Sequence, residues 1–234
     1  IEDVNIQGGN QLYVSSHEPT NTVTAIDSLN TYGRIFFTNP VIGDKMTREG
    51  STLYVADRFR GIDIFDIGNG VGHDLKASFA EKWGIRDFVA QYPYIYALND
   101  FGVVVVDVSQ QNFPLGIATN YQIPDARCLV KDREYLYVAA GKELLVISIR
   151  DNDKPLLVAQ VRLANEIQSL AIKDQRLFAA LGQGGVKIYD VSIPNRLEDI
   201  NTFYPPAAAY DIALENDYVY VALGRDGWII YEYK

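Results

Sequence analysis

From Leu177 to Ser192 the chain reads as a β-hairpin. Phe178 and Ala180 lie in one short run of β-forming residues, Val186–Val191 make a second, and Gly182-Gln183-Gly184-Gly185 separate them. Glycines at that separation allow the positive φ values of a tight reversal, and Asp190-Val191-Ser192 breaks the returning run. The same unit recurs along the chain. With the aromatic residue of each first run as anchor, the series is Tyr13, Tyr54, Tyr96, Tyr137, Phe178 and Tyr220, at intervals of 41, 42, 41, 41 and 42 residues.

Each hairpin is preceded by another β run, such as Asp87-Phe88-Val89, Cys128-Leu129-Val130 or Ile212-Ala213-Leu214. Each is followed by a fourth, such as Ile35-Phe36-Phe37, Leu156–Ala159 or Asp199–Tyr204. Four strands in about 41 residues is the size of a propeller blade. The pattern predicts an all-β, six-bladed β-propeller forming a single domain over 1–234, with blades near 1–40, 41–82, 83–123, 124–164, 165–206 and 207–234. The last repeat stops after its third strand. An open sheet edge invites pairing, so the expectation is that the native polypeptide extends before Ile1 or after Lys234, or that a partner covers this edge.

Composition agrees with strands: 16 Tyr and 10 Phe stand beside a single Met, and aromatic residues suit a pleated, half-buried surface. The formal charge of −9 opposes a phosphate backbone, and no long Lys/Arg run offsets it, so nucleic-acid binding is not expected. The longest apolar stretches, such as Gly102–Val108, are strand-length, far short of the roughly 20 residues that cross a bilayer as a helix. One cysteine, Cys128, leaves no internal disulfide and no cysteine-based zinc or haem motif. Cys128 itself falls in a predicted strand and reads as a small buried hydrophobe.

At Gly185–Pro194 (GVKIYDVSIP) and Gly102–Ser109 (GVVVVDVS), each preceded by a Tyr-Val-Ala-like run, the chain resembles the LVIVD-repeat family. The likeness extends over all six repeats. It is closest in repeats three, five and six, while repeat one carries TVTAIDSL and repeat four carries Ile147-Ser148-Ile149 in place of Asp-Val-Ser. The resemblance implies β-propeller repeats of exported or surface proteins, and hence an extracellular, periplasmic or cell-surface location, rather than any particular activity.

In such a fold, the loops leading into the first strands share a face with the hairpin turns, and that face is the default place for a ligand. Ten residues before each anchor stand Asp3, Asp44, Arg86, Arg127, Gln168 and Tyr210; nine before stand Val4, Lys45, Asp87, Cys128, Ser169 and Asp211. Arg86, Asp87, Arg127, Tyr210 and Asp211 could form a polar pocket for an anionic or hydroxylated ligand, Arg offering forked donors. They could equally be hydrated channel residues paired with their neighbours. On the same face Arg58, Phe59, Arg60, Trp83 and Arg225 combine aromatic and basic groups as protein interfaces do. Trp228, inside a strand, is expected to pack between blades.

Catalytic chemistry is poorly represented. His17 and His73 lie in loop-like segments of different repeats, with no triad or metal pair around them. Asp27, Asp66, Asp107 and Asp190 recur at third-strand ends, where one acid per repeat reads as a turn-initiating residue rather than a metal ligand. No metal and no cofactor is expected. Two functions remain open: a non-enzymatic docking module that binds a protein through the loop face or the open last blade, and a carbohydrate-binding or polysaccharide-active propeller. The second would use Trp83, Phe59 and Tyr210 as sugar platforms beside Arg86, Asp87 or Asp211.

Overall fold

The computed structural model describes residues 3–7, 11–16, 22–27, 34–39, 45–57, 61–68, 74–80, 84–110, 114–120 and 123–233. The chain divides into two compact units, Ile1–Tyr121 and Gln122–Lys234. The first unit contains three antiparallel sheets, each with its strands in sequence order. They are β1 (Asp3–Gln7), β2 (Gln11–Ser16), β3 (Thr22–Asp27) and β4 (Arg34–Asn39); β5 (Lys45–Glu49), β6 (Thr52–Asp57), β7 (Gly61–Asp66) and β8 (Asp74–Ala80); and β9 (Asp87–Gln91), β10 (Tyr94–Leu98), β11 (Val103–Asp107) and β12 (Leu115–Asn120).

The second unit contains three more. They are β13 (Ala126–Asp132), β14 (Tyr135–Ala140), β15 (Glu143–Ser148) and β16 (Leu156–Arg162); β17 (Ser169–Lys173), β18 (Arg176–Ala180), β19 (Val186–Asp190) and β20 (Glu198–Phe203); and a three-stranded last sheet of β21 (Asp211–Glu215), β22 (Tyr218–Ala222) and β23 (Trp228–Glu232). These sheets are the predicted blades. The only helical piece among the described residues is the single 3-10 turn Gly224–Asp226, and no helix is long and apolar enough to cross a membrane.

Within each unit the first strands of successive sheets are neighbours: β1 with β5 and β5 with β9, then β13 with β17 and β17 with β21. The sheets stack in a fixed sense. Tyr54, Ala56, Ile62 and Ile64 of the second sheet pack against Phe88, Ile95, Ala97, Val104 and Val106 of the third. In the second unit Tyr137, Ala139, Leu144 and Val146 pack against Leu170, Leu177, Ala179 and Tyr189, while Phe178, Ala180 and Val186 pack against Ile212, Val219 and Val221. Successive residues of a strand point to opposite faces. A sheet covered on both faces, as the fifth is by the fourth and the last, therefore needs apolar residues without interruption, which accounts for the run Leu177–Leu181.

The anchor aromatics, all on second strands, face Ala25, Ile64, Val105, Val146, Ile188 and Ile230 on the third. The turn reading of the recurring aspartates holds where side chains are described. Asp66 accepts the Gly68 N–H at 2.9 Å, Asp107 that of Ser109 at 2.7 Å and Asp190 that of Ser192 at 2.7 Å. These bonds, to the Gly68 backbone for Asp66 and to Ser192 for Asp190, hold both carboxyls below the ordinary aspartate range. In the Gly182–Gly185 reversal, φ is 56° at Gly182 and 77° at Gly185, and Leu181 N–H donates to Gly185 O at 2.9 Å. Cys128 departs from expectation. It is half-buried at the margin of the core between the fourth and fifth sheets, because β13 is an inner edge strand with one side open.

Candidate functional site

The loops leading into the first strands are fixed by backbone bonds to the hairpin of the preceding sheet. Ile167 N–H donates to Gly141 O at 2.8 Å, and Gly182 and Ala209 exchange two bonds of 2.9 and 3.0 Å. Gly141 and Gly182 both sit at φ 56°, a conformation that favours glycine, so the reversal can present its peptide group to the next loop. Three of the positions ten before the anchors are structurally equivalent. Arg86, Gln168 and Tyr210 donate their N–H groups to Leu98, Ala180 and Ala222 respectively.

Several charged side chains at this end of the sheets are paired. Arg86 meets Asp100 of its own hairpin with Nε at 2.8 Å and a second nitrogen at 2.7 Å. Arg127 meets Glu166 of the next leading loop at 3.0 Å. At the positions nine before the anchors, the pairs run between neighbouring first strands. Lys45 pairs with Asp87, and Ser169 donates its hydroxyl to Asp211 at 2.5 Å. Both aspartates also accept the N–H of the residue that follows them, Phe88 at 2.8 Å and Ile212 at 2.9 Å. Asp87 is 3% exposed, so its carboxylate is stabilised by these bonds rather than by water. The arrangement stitches the second sheet to the third and the fifth to the last, and caps the start of β9 and of β21.

In the last sheet the environment changes. Tyr210 is exposed and lies over the Gly224 turn: a Cβ at Gly224, where φ is 64°, would stand 3.1 Å from the tyrosine ring. Arg225 follows on the exposed turn, closed by Leu223 N–H to Gly227 O at 2.7 Å. Trp228, expected to pack between blades, is instead 69% exposed. Its strand presents Trp228 and Ile230 on the anchor face, which no other sheet of the second unit covers as the fifth covers the fourth. A shallow apolar cavity of about 360 Å³ is bordered there by Ile212, Ala213, Tyr220, Val221 and Trp228.

Of the other anticipated positions, Arg58, Phe59, Arg60 and Trp83 lie outside the described residues, as do His17 and His73. No three His, Cys, Asp or Glu side chains converge as a metal site among the described residues. Sequence counting did not single out Glu166 as the partner of Arg127; its one signal is a place two residues ahead of Gln168 in the leading loop. The buried tyrosines belong to the core. Desolvation, reinforced by neighbouring acids, raises the phenols of Tyr54 and Tyr189 to about 12 and raises that of Tyr137 as well, and among the described residues the Tyr137 hydroxyl has no hydrogen-bond partner.

No curated protein matches the chain in sequence. Among solved structures it is similar to a protein from Lactobacillus plantarum, with TM-score 0.83 and 13% identity over 98% of this chain and 79% of that one. It is similar to the periplasmic gluconolactonase PpgL of Pseudomonas aeruginosa, with TM-score 0.75 and 12% identity over 95% and 78%. It is also similar to BamB from Moraxella catarrhalis, with TM-score 0.71 and 11% identity over 99% and 69%. Likeness at this identity concerns the fold. The LVIVD repeat model matches residues 130–162 and 206–230, that is, most of repeat four, in spite of its Ile147-Ser148-Ile149, and much of repeat six. The chain folds as a β-propeller and matches the LVIVD repeat over these two segments.

Proposed function

We infer that the chain is a protein-interaction module of an exported or cell-surface protein, and that it docks its partner on the last blade. The observation that carries this reading is the distribution of exposed aromatic side chains. Six are exposed among the described residues, Tyr92, Phe101, Tyr204, Tyr210, Tyr218 and Trp228, and three of them, Tyr210, Tyr218 and Trp228, belong to the three-stranded sheet or the loop that leads into it. Aromatic groups with an arginine at hand, here Arg225, are the usual anchors of protein interfaces. By contrast Arg86, Asp87, Arg127 and Asp211 each already hold a partner of opposite charge or a hydrogen-bond donor. A glycan site at the channel mouth would have to break those pairs. The exported setting is supported by the LVIVD resemblance and by a periplasmic protein among the structural neighbours.

The test is capture by the tagged protein from an extracellular fraction after mild cross-linking, with the bound proteins identified by mass spectrometry. A specific, stoichiometric partner lost with Trp228→Ala and Tyr218→Ala, but retained with Arg86→Ala, is expected. Retention of the partner in the Trp228→Ala protein would move the interface off the last blade.

A further inference from the structure

Between the fourth and fifth sheets, at the end where the hairpin turns lie, an open groove of about 440 Å³ runs from the close of β16 to the close of β20. Its floor is apolar, formed by Leu163, Leu181 and Leu197 with the Tyr189 ring. Three neutral polar side chains stand around it: Asn165 from the loop after β16, Thr202 from β20 and Tyr204 just beyond β20. Among the described residues none of these three side chains makes a hydrogen bond to protein.

The Gly182–Gly185 turn seats two of them. At Gly184 an added Cβ would stand 2.7 Å from Asn165 Oδ1, so the absent side chain lets the amide lie against the turn. At Gly185 it would stand 3.0 Å from Tyr204 Cδ1, so the tyrosine ring also rests on the turn. The register shows what this replaces. Glu143 lies three residues before Val146, which faces the anchor of the fourth sheet, and Gly185 lies three before Ile188, its equivalent in the fifth. The matching fourth-strand positions are Arg162 and Tyr204, three beyond Ala159 and Asn201. Where the fourth sheet closes this corner with the Glu143–Arg162 ion pair, the fifth sets an exposed tyrosine against a glycine.

The charges around the groove are balanced in pairs. Arg162 is held by Glu143 and Lys187 by Asp199 at 2.5 Å, and the Lys187 ammonium also lies 5.5 Å from the centre of the Tyr189 ring. Beside the lining residues, Arg196 pairs with Glu198 at 3.5 Å and Glu166 with Arg127 at 3.0 Å. This leaves no net charge for an ionic ligand to neutralise. What remains is an apolar floor, an exposed aromatic ring and side chains that both donate and accept. That set complements a pyranose ring, whose C–H face is apolar and whose hydroxyls lie around its edge.

We propose that this groove binds a neutral saccharide, with one sugar ring against Tyr204 and its hydroxyls bonded to Asn165 and Thr202. The volume lies toward the lower end of the roughly 300–1,000 Å³ of small-molecule sites, which suits a short stretch of a longer glycan. No ion pair has to break, in contrast to the surroundings of Arg86 and Arg127. The site is independent of docking on the last blade.

The test is titration of the whole protein with cellohexaose, chitohexaose and maltohexaose to about 10 mM, a range that reaches weak single-site binding, followed by calorimetry and amide chemical shifts. At least one of these sugars should bind and shift the amides of residues 163–165, 184–187 and 202–204. Tyr204→Ala alters an exposed side chain and should weaken that binding about tenfold without loss of folding. Gly184→Ala pushes the Asn165 amide aside and should weaken it as well, while Trp228→Ala should leave it unchanged. Absence of binding by all the sugars, undiminished binding by Tyr204→Ala, or shifts elsewhere overturns the proposal. Tighter binding of polygalacturonate than of the neutral sugars overturns the neutral ligand class. Each of these results leaves docking on the last blade standing, because that reading is tested by partner capture at Trp228.

Discussion

The fourth and last sheets are built on one pattern and live in different surroundings. In the fourth, the anchor Tyr137 and the facing Val146 are both 0% exposed under the fifth sheet, whereas in the last sheet Ile230, which faces the anchor Tyr220, is 42% exposed. The hairpins YLYVAA-GKE-LLVISI and YVYVAL-GRDG-WIIYEY carry the same alternation of faces. Burial of a strand residue is thus a property of the neighbouring sheet as much as of the strand's own pattern.

The sharpest way to test the contrast is to truncate both sheets. Tyr137→Ala should cost about 3–5 kcal/mol in urea unfolding, because the cavity is enclosed on all sides. Trp228→Ala should cost under about 1 kcal/mol, because a mostly exposed side chain leaves little burial to lose. Comparable losses at the two positions would mean that the last sheet is covered in solution. A second substitution separates shape from polarity in the buried sheet. Tyr137→Phe removes a hydroxyl that is buried without a partner and should raise stability by about 1 kcal/mol.

The hairpin glycines give effects of intermediate size. At Gly185 a Cβ would stand 2.4 Å from Phe203 O, and backbone cannot yield as a side chain tip can, so Gly185→Ala should cost about 2–3 kcal/mol. At Gly182, with nothing within 4 Å of the added carbon, only the left-handed conformation is penalised and about 1 kcal/mol is expected. Equal costs would remove the close approach to Phe203 as the reason for glycine at 185.

Alkaline titration addresses the core tyrosines together. A phenol held neutral by burial keeps its proton more tightly in the folded chain than in the unfolded one. Its contribution to stability is therefore complete below pH 10 and is lost as the pH rises toward about 12, the folded value for Tyr54 and Tyr189. Urea midpoints should fall through this window, and the Tyr54→Phe, Tyr189→Phe double variant should fall less steeply. The smallest effect is expected at the loop face. Arg86 and Asp100 are each about half exposed, so Arg86→Ala should change stability by under about 1 kcal/mol and by less at high salt.

Much of the architecture was legible in the chain because its cues are local. The period from Tyr13 to Tyr220, the glycine reversals and the strand-ending aspartates each act within one hairpin, and Asp66, Asp107 and Asp190 bond two residues ahead as the turn chemistry requires. Counting back from the anchors also brought equivalent residues to one end of the sheets, since Arg86, Gln168 and Tyr210 make the same backbone bond. The partners of these residues were not legible. Asp211 could belong to a ligand pocket or to a blade junction on sequence alone, and only the approach of Ser169, 42 residues away, shows which bonds it makes.

By itself, then, the sequence determined the repeat, the strand order within each blade and the turns, because each depends on residues close together along the chain. The tertiary structure decided which faces are covered, which charges are paired and where Trp228 lies, because each of those depends on a neighbouring sheet that lies a whole repeat away.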